Sequence, residues 1–260
     1  IGVIPARLNA SRFPGKPMSN IHGMPMVEHC YHRTRLTPGI SSTFVATCDD
    51  EIAKHINKIG GNSILTSVSH TRATTRTAEA MQIIEEKFKE KIDIVVMVQG
   101  DEPLIKPETI AQTLSHFEDS SVDIVNIMSR LDSYEHFIDK NNVKVVADYN
   151  SDALYFSREP IPSPWKGIKN LSMYMQTGII AFRREALLKF NSMDETLLEQ
   201  TESIDMNRLL ENGLNIKLIQ TDAVTVGIDT VEDLDLVTRL MKKDPLFYKY
   251  KTLINKNERQ

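Results

Sequence analysis

The sequence predicts an α/β fold: a mainly parallel sheet flanked by helices, with an inserted β-hairpin lobe. Three observations carry this reading. Short apolar runs such as Gly2–Ala6, Thr43–Thr47 and residues 92–98 read as strands covered on both faces. Helical patterns separate them, as crossovers between parallel strands require. In the second half, the segments 143–147 and 153–157 flank a turn-rich stretch at 148–152, which reads as a hairpin.

In chain order, Gly2–Ala6 opens as a buried strand, and a helix is expected over 26–36 with Pro25 just ahead of it. Thr43–Thr47 is a strand ending at Asp49 and Asp50, followed by a helix over 51–59 that stops at Gly60 and Gly61. A short strand at 63–66, a helix at 76–88 and a strongly apolar strand at 92–98 follow. Next come a helix at 107–117 and a strand at 122–127. Beyond the hairpin, a strand is expected at 174–182, helices at 195–212 and 230–242, and a short strand at 215–219. No linker or internal repeat interrupts the pattern, so residues 1–260 are expected to form one continuous domain with a lobe at about 130–215. The charged tail from 242 to 260 carries no functional expectation.

Composition bounds the function. The chain has 41% hydrophobic and 25% charged residues, ordinary for a globular protein. A formal charge of −4 argues against a general nucleic-acid binder. With only Cys30 and Cys48, structural disulfides are not expected, and a reducing cytoplasm fits. No apolar run approaches the ~18 residues that span a bilayer.

Ligands of parallel sheets sit beyond the strand carboxyl ends. There, after the first strand, Arg7, Arg12 and Lys16 share one loop with Pro14 and Gly15. Guanidinium forks and an ammonium on a short loop suit a polyphosphate; the alternative is a solvated basic turn. The loop is not a P-loop, because Lys16 is followed by Pro17. After the strand at 92–98 comes Gln99-Gly100-Asp101-Glu102-Pro103, where glycine admits a ligand to the backbone and Asp101 offers a hard oxygen donor. In Gly227-Ile228-Asp229-Thr230-Val231-Glu232-Asp233, a capping box accounts for Thr230 and Asp233 and leaves Asp229 as a second carboxylate. Asn141-Asn142-Val143-Lys144 and Ala153-Leu154-Tyr155-Phe156-Ser157-Arg158 set a Lys and an Arg where they could meet an acidic substrate. The seven histidines include no H-x-x-x-H pair, and no G-x-S-x-G or coupled Cys/His motif indicates a covalent nucleophile.

Together these segments resemble the cytidylyltransferases that activate acidic sugars, above all the CMP-Kdo synthetase family. The resemblance covers residues 1 to about 240 and implies a Rossmann-like sheet of the nucleotide-diphospho-sugar transferase type. It implies a Mg2+-dependent enzyme that joins CTP to an acidic sugar and releases pyrophosphate by direct displacement. In that scheme Arg7, Arg12 and Lys16 neutralise the triphosphate, with Lys16 at the developing charge. Asp101 and Asp229 hold Mg2+, and Gln99 and Arg76 read the base or ribose. Lys144, Arg158, Gln176 and Asp205 face the acceptor. The resemblance also implies a homodimer formed through the second lobe.

The match departs where the sugar is chosen. A family loop like H-x-S-G-T-E-R reads His70-Thr71-Arg72-Ala73-Thr74-Thr75-Arg76 here. Gln176 and Ile180 stand where Kdo enzymes carry His and Tyr, and Asp205-Met206 replaces a Glu-Gln pair. Those changes point to an altered pocket and a related acidic acceptor alongside Kdo itself. Two rivals follow from the same residues. One is a sugar-1-phosphate nucleotidyltransferase using UTP or GTP, though its usual glycine-rich opening is replaced by Pro5-Ala6-Arg7. The other is a catalytically silent nucleotide-binding protein, against which Lys16, Asp101 and Asp229 argue.

Overall fold

A computed structural model describes residues 1–9, 13–168, 171–223 and 226–257. The first half runs β1 (Gly2–Ala6), a small ribbon of β2 (Asn20–Ile21) and β3 (Met24–Pro25), α1 (Met26–Arg35), β4 (Thr43–Thr47) and α2 (Asp50–Lys58). It continues with β5 (Asn62–Leu65), α3 (Ala73–Phe88), β6 (Ile94–Val98), α4 (Pro107–Ser115) and β7 (Ile124–Arg130). The second half comprises α5 (Tyr134–Ile138), β8 (Lys144–Ala147), β9 (Ala153–Ser157), β10 (Tyr174–Arg183) and α6 (Arg184–Ser192). It closes with α7 (Leu197–Glu202), α8 (Met206–Glu211), β11 (Lys217–Thr221), α9 (Val231–Met241) and α10 (Pro245–Asn257).

The main sheet has the order β11-β7-β10-β6-β1-β4-β5, with β8 added on β10 and β9 on β8. β1, β4, β5 and β6 are mutually parallel where they pair, as are β7 and β11, while β10 runs antiparallel between β6 and β7. Alternation along each strand explains the double-sided burial. Val3, Phe44, Ala46 and Met97 face one core with α3 and α6, whereas Ile4, Val45, Val96 and Val98 face the other with α1, α2 and α4. β1 pairs with β4 on one side and β6 on the other, so the chain turns in opposite directions from this strand. The loops that leave β1 and β6 therefore meet at its carboxyl end, where a crevice opens.

Two expected elements differ. The helix expected over 195–212 is two, because Ser203 adopts φ of 54° and ends α7. Nothing at that position announces a break, and the turn is held by tertiary contacts: the Glu202 carboxylate accepts from Tyr155, Ser157 and the Arg158 amide. The tail contributes α10, whose Phe247 and Tyr250 are buried in a third cluster with Met26, Val237 and Met241. Tyr250 is anchored by its hydroxyl to His29 Nδ1 at 2.6 Å. The ring's other nitrogen donates to the Ile21 carbonyl at 2.9 Å. Among the described residues, no helix is long and apolar enough to cross a membrane.

Candidate active site

Gly15 takes a left-handed φ of 74°, and the turn from Lys16 to Met18 that follows points the lysine back over the sheet. Its ammonium donates to Asp101 Oδ2 at 2.8 Å, the Ile228 carbonyl at 2.6 Å and Asp229 Oδ1 at 3.2 Å. All three ammonium hydrogens are therefore engaged. Burial disfavours the charge, but the two carboxylates outweigh it and hold the Lys16 pKa above its usual value. Asp229 is brought there by the predicted capping box: Thr230 Oγ1 accepts the Asp233 amide at 3.2 Å, and Asp233 Oδ2 accepts the Thr230 amide at 2.9 Å. Asp101 comes from the loop after β6, whose backbone also accepts the Ile228 amide at 3.0 Å. The early lysine and the two distant aspartates thus meet at one point.

Two cavities open on either side of that point. The larger, about 730 Å3, is bordered by Arg7, Lys16, Arg72, Arg76 and Lys140. The smaller, about 340 Å3, is bordered by Asp139, Gln176, Gly178, Asp229 and Asp233. Gln99, Asp101, Asn141, Arg158, Ser203 and Asp205 belong to both and form the seam between them. A register shift in β10 between Gln176 and Ile180 turns Gln176, Thr177 and Gly178 toward the smaller cavity. Gly178 has to be glycine there, since a Cβ would lie 2.7 Å from Glu102 Oε1 and 2.8 Å from Gln99 Cβ.

The other expected residues fall as follows. Arg7 is exposed on the larger cavity, and Arg12 lies outside the described residues. The Gln99 backbone N–H donates to the Gly178 carbonyl at 2.9 Å, and the residue borders both cavities. Arg76 borders the larger cavity but is 2% exposed; its guanidinium binds Thr66 Oγ1 at 2.5 Å and the Ser67 and His70 carbonyls. It braces the loop after β5 as part of the cavity wall. Arg158 stands on the seam and donates to the Glu202, Lys140 and Ser203 carbonyls. Asp205 accepts from Thr74 Oγ1 at 2.6 Å, and burial raises its pKa.

Lys144 requires correction. It borders neither cavity, is fully buried, and gives its three hydrogens to the carbonyls of Asp139, Asn142 and Arg158. It ties the segment before β8 to the end of β9, so it positions Arg158 rather than meeting the acceptor. The list of altered pocket positions also shortens. Ile180 and Met206 are both core residues, so of the four only Gln176 and Asp205 face a cavity.

Two residues were missed. Arg72, in place of a serine in the resembled loop, borders the larger cavity and donates to Ser203 Oγ at 2.9 Å. Its charge against the pattern was the available signal. Glu102 is 8% exposed and borders the smaller cavity; Oε1 accepts the Gly178 amide at 2.6 Å. Burial, followed by the charge of Asp101, pushes its carboxyl up to about 7. In the sequence it stands only as the neighbour of a more obvious aspartate.

A strand-end crevice with a cationic loop facing paired carboxylates is a ligand site of such sheets, and the family matched by the chain makes it that of a nucleotidyltransferase. The cytidylyltransferase family model matches residues 1–218, and the chain belongs to that family. Its relatives include the 3-deoxy-manno-octulosonate cytidylyltransferase of Geotalea uraniireducens (strain Rf4), 39% identical over 252 residues, covering 93% of this chain and 98% of the relative. The enzyme of that name from Fusobacterium nucleatum subsp. nucleatum is 37% identical, covering 94% and 97%. A solved CMP:2-keto-3-deoxy-manno-octonic acid synthetase complexed with CTP superposes with a TM-score of 0.85 at 35% identity, covering 94% of this chain and 98% of that one. A putative glucose-1-phosphate thymidylyltransferase from Bacillus anthracis shares the fold alone, with a TM-score of 0.64 at 15% identity.

Proposed function

We propose that this enzyme transfers CMP from CTP to an acidic sugar of the 3-deoxy-manno-octulosonate type, with Mg2+ bound, and releases pyrophosphate. The observation that carries the reading is the convergence of Asp101 and Asp229 on Lys16 at the seam of the two cavities. The relatives' names and the CTP in the neighbouring structure support the choice of nucleotide and sugar.

Asp101 and Asp229 fit Mg2+: they are hard oxygen donors, 27% and 26% exposed, and one or two carboxylates plus phosphate oxygens suffice for this ion. When bound, the ion neutralises phosphate charge and lowers the pKa of the attacking hydroxyl. The protein's own residues do the rest. Arg7, Arg72 and Lys16 neutralise the triphosphate in the larger cavity, with Arg12, outside the described residues, as a further cation of the loop that carries Arg7 and Lys16, and Gln99 meets the base or ribose. The acceptor lies in the smaller cavity against Gln176 and Asp205, with Arg158 holding its carboxylate. Its hydroxyl oxygen bonds to the α-phosphorus, the hydroxyl proton is released, and the bond from that phosphorus to the bridging oxygen breaks to free pyrophosphate. The catalytic contribution is alignment plus charge neutralisation. A homodimer built through the β8–β9 lobe, and a cytoplasmic location, belong to the same proposal.

The test is pyrophosphate release with each nucleoside triphosphate, Mg2+ and a panel of acidic sugars. Turnover with CTP and a 3-deoxy-ulosonate is expected. Turnover with UTP or GTP and a sugar 1-phosphate instead, or none with any pair, would select one of the rival readings.

A further inference from the structure

The Glu102 carboxylate is held by one oxygen only. Oε1 takes the Gly178 amide at 2.6 Å, while Oε2 is buried and has no hydrogen-bond partner among the described residues. Buried carboxylate oxygens are ordinarily paired, because water is lost to them on folding. The side chain has little freedom to seek another partner: the residue is 8% exposed, and Gly178 packs directly on Oε1. It also borders the smaller cavity, between Asp101 and the Gln176–Gly178 segment of β10. An oxygen without a partner among the described residues thus lies in the wall of a cavity that, on the reading above, takes a polyhydroxylated molecule.

We propose that Glu102 is an acceptor-binding residue, whose Oε2 receives a hydrogen bond from a hydroxyl of the acidic sugar. Oε1 on the β10 amide fixes the direction of that bond, so one carboxylate couples the metal-side loop to the wall of the acceptor cavity. A sugar hydroxyl supplies the donor that the described residues do not, and an acceptor lacking it leaves the oxygen unpaired. This inference rests on the proposed acceptor site and adds a specificity contact to it.

Glu102→Gln tests it, since the amide oxygen can keep the Gly178 bond while an NH2 replaces Oε2. Initial rates of pyrophosphate release are measured against acceptor at saturating CTP and against CTP at saturating acceptor. The expected result is an acceptor KM raised about tenfold or more, with the CTP KM within about twofold and the melting temperature nearly unchanged. An unchanged acceptor KM, as when a water satisfies Oε2, overturns the proposal. An equal rise in both KM values with a lowered melting temperature also overturns it, in favour of a purely structural role. Should the variant fail to fold, the structure of the wild-type enzyme with CTP and acceptor decides. A sugar hydroxyl within hydrogen-bond distance of Oε2 supports the contact, and a bound sugar without one removes it. If the wild-type enzyme turns over no acceptor with CTP, the cytidylyl-transfer reading falls and this inference with it. Wild-type turnover with an indifferent Glu102→Gln variant removes the inference alone.

Discussion

The two cavities share a seam yet carry opposite charge. The larger alone is bordered by Arg7, Lys16, Arg72, Arg76 and Lys140, the smaller alone by Glu102, Asp139, Asp229 and Asp233, and Asp101, Asp205 and Arg158 are common to both. A basic cavity suits the triphosphate, which carries most of the negative charge in the proposed reaction. The acidic one suits a divalent ion and the hydroxyls of a sugar, leaving Arg158 on the seam to meet a carboxylate. The expected pairing of two cations with an acidic acceptor therefore gives way to one cation at the boundary. The difference between the cavities is a division of labour by sign of charge, and each side can be attacked separately.

The largest effect is expected at the seam. Asp101→Asn should lower kcat/KM by about two orders of magnitude or more while the melting temperature changes little, because its ion pair with Lys16 is partly exposed. Pyrophosphate release and thermal unfolding measure the two quantities, and near-normal turnover would take Asp101 out of the metal site. Behind the seam, Lys144→Met should act on stability instead. Three carbonyls lose a buried charged donor, so unfolding in urea should show a loss of about 2–4 kcal/mol. An acceptor KM raised without a stability loss would restore Lys144 as a substrate contact.

Smaller effects should separate the cavities themselves. Arg7→Ala is expected to raise the KM for CTP about three- to tenfold and leave that of the acceptor in place, and Gln176→Ala to do the reverse. If each variant moves both constants equally, the assignment of one ligand to each cavity fails. The smallest effect concerns pH. The folded-state pKa of Asp205 lies above its ordinary value because of burial, so the native protein holds this proton more tightly than the unfolded chain. Its ionisation therefore subtracts stability as pH rises from the ordinary carboxylate value through the raised one. Asp205→Asn should gain in relative melting temperature between pH 4 and pH 8, and an equal offset at both would refute that sign.

Much of this architecture was readable from local pattern. β1, β4 and β6 announce themselves as apolar runs, and the α9 capping box is written in Thr230 and Asp233. Lys16, Asp101 and Asp229 were readable because each sits in a short motif at a strand end or helix start, where ligands of such sheets gather. Other features depended on long-range partners. Ser203 ends a helix with no glycine or proline to mark it, because Glu202 is drawn to β9. Gln176 and Ile180 look equivalent along an alternating strand, yet the register shift between them puts one in a cavity and the other in the core. The side chain of Lys144 turns under its own lobe, which a motif match cannot reveal.

Taken by itself, then, the chain determined its alternating sheet and helices, its cationic loop and the short motifs that carry Asp101 and Asp229, since periodicity and short motifs encode local geometry and chemical type. Tertiary structure alone decided which charges face a ligand and which are consumed by backbone carbonyls. It also decided that Glu102, in the wall of a cavity, ends with one oxygen bound and the other buried without a partner among the described residues. The physical reason is that hydrogen-bond satisfaction and desolvation depend on whatever packs alongside a group, and those neighbours come from distant parts of the chain.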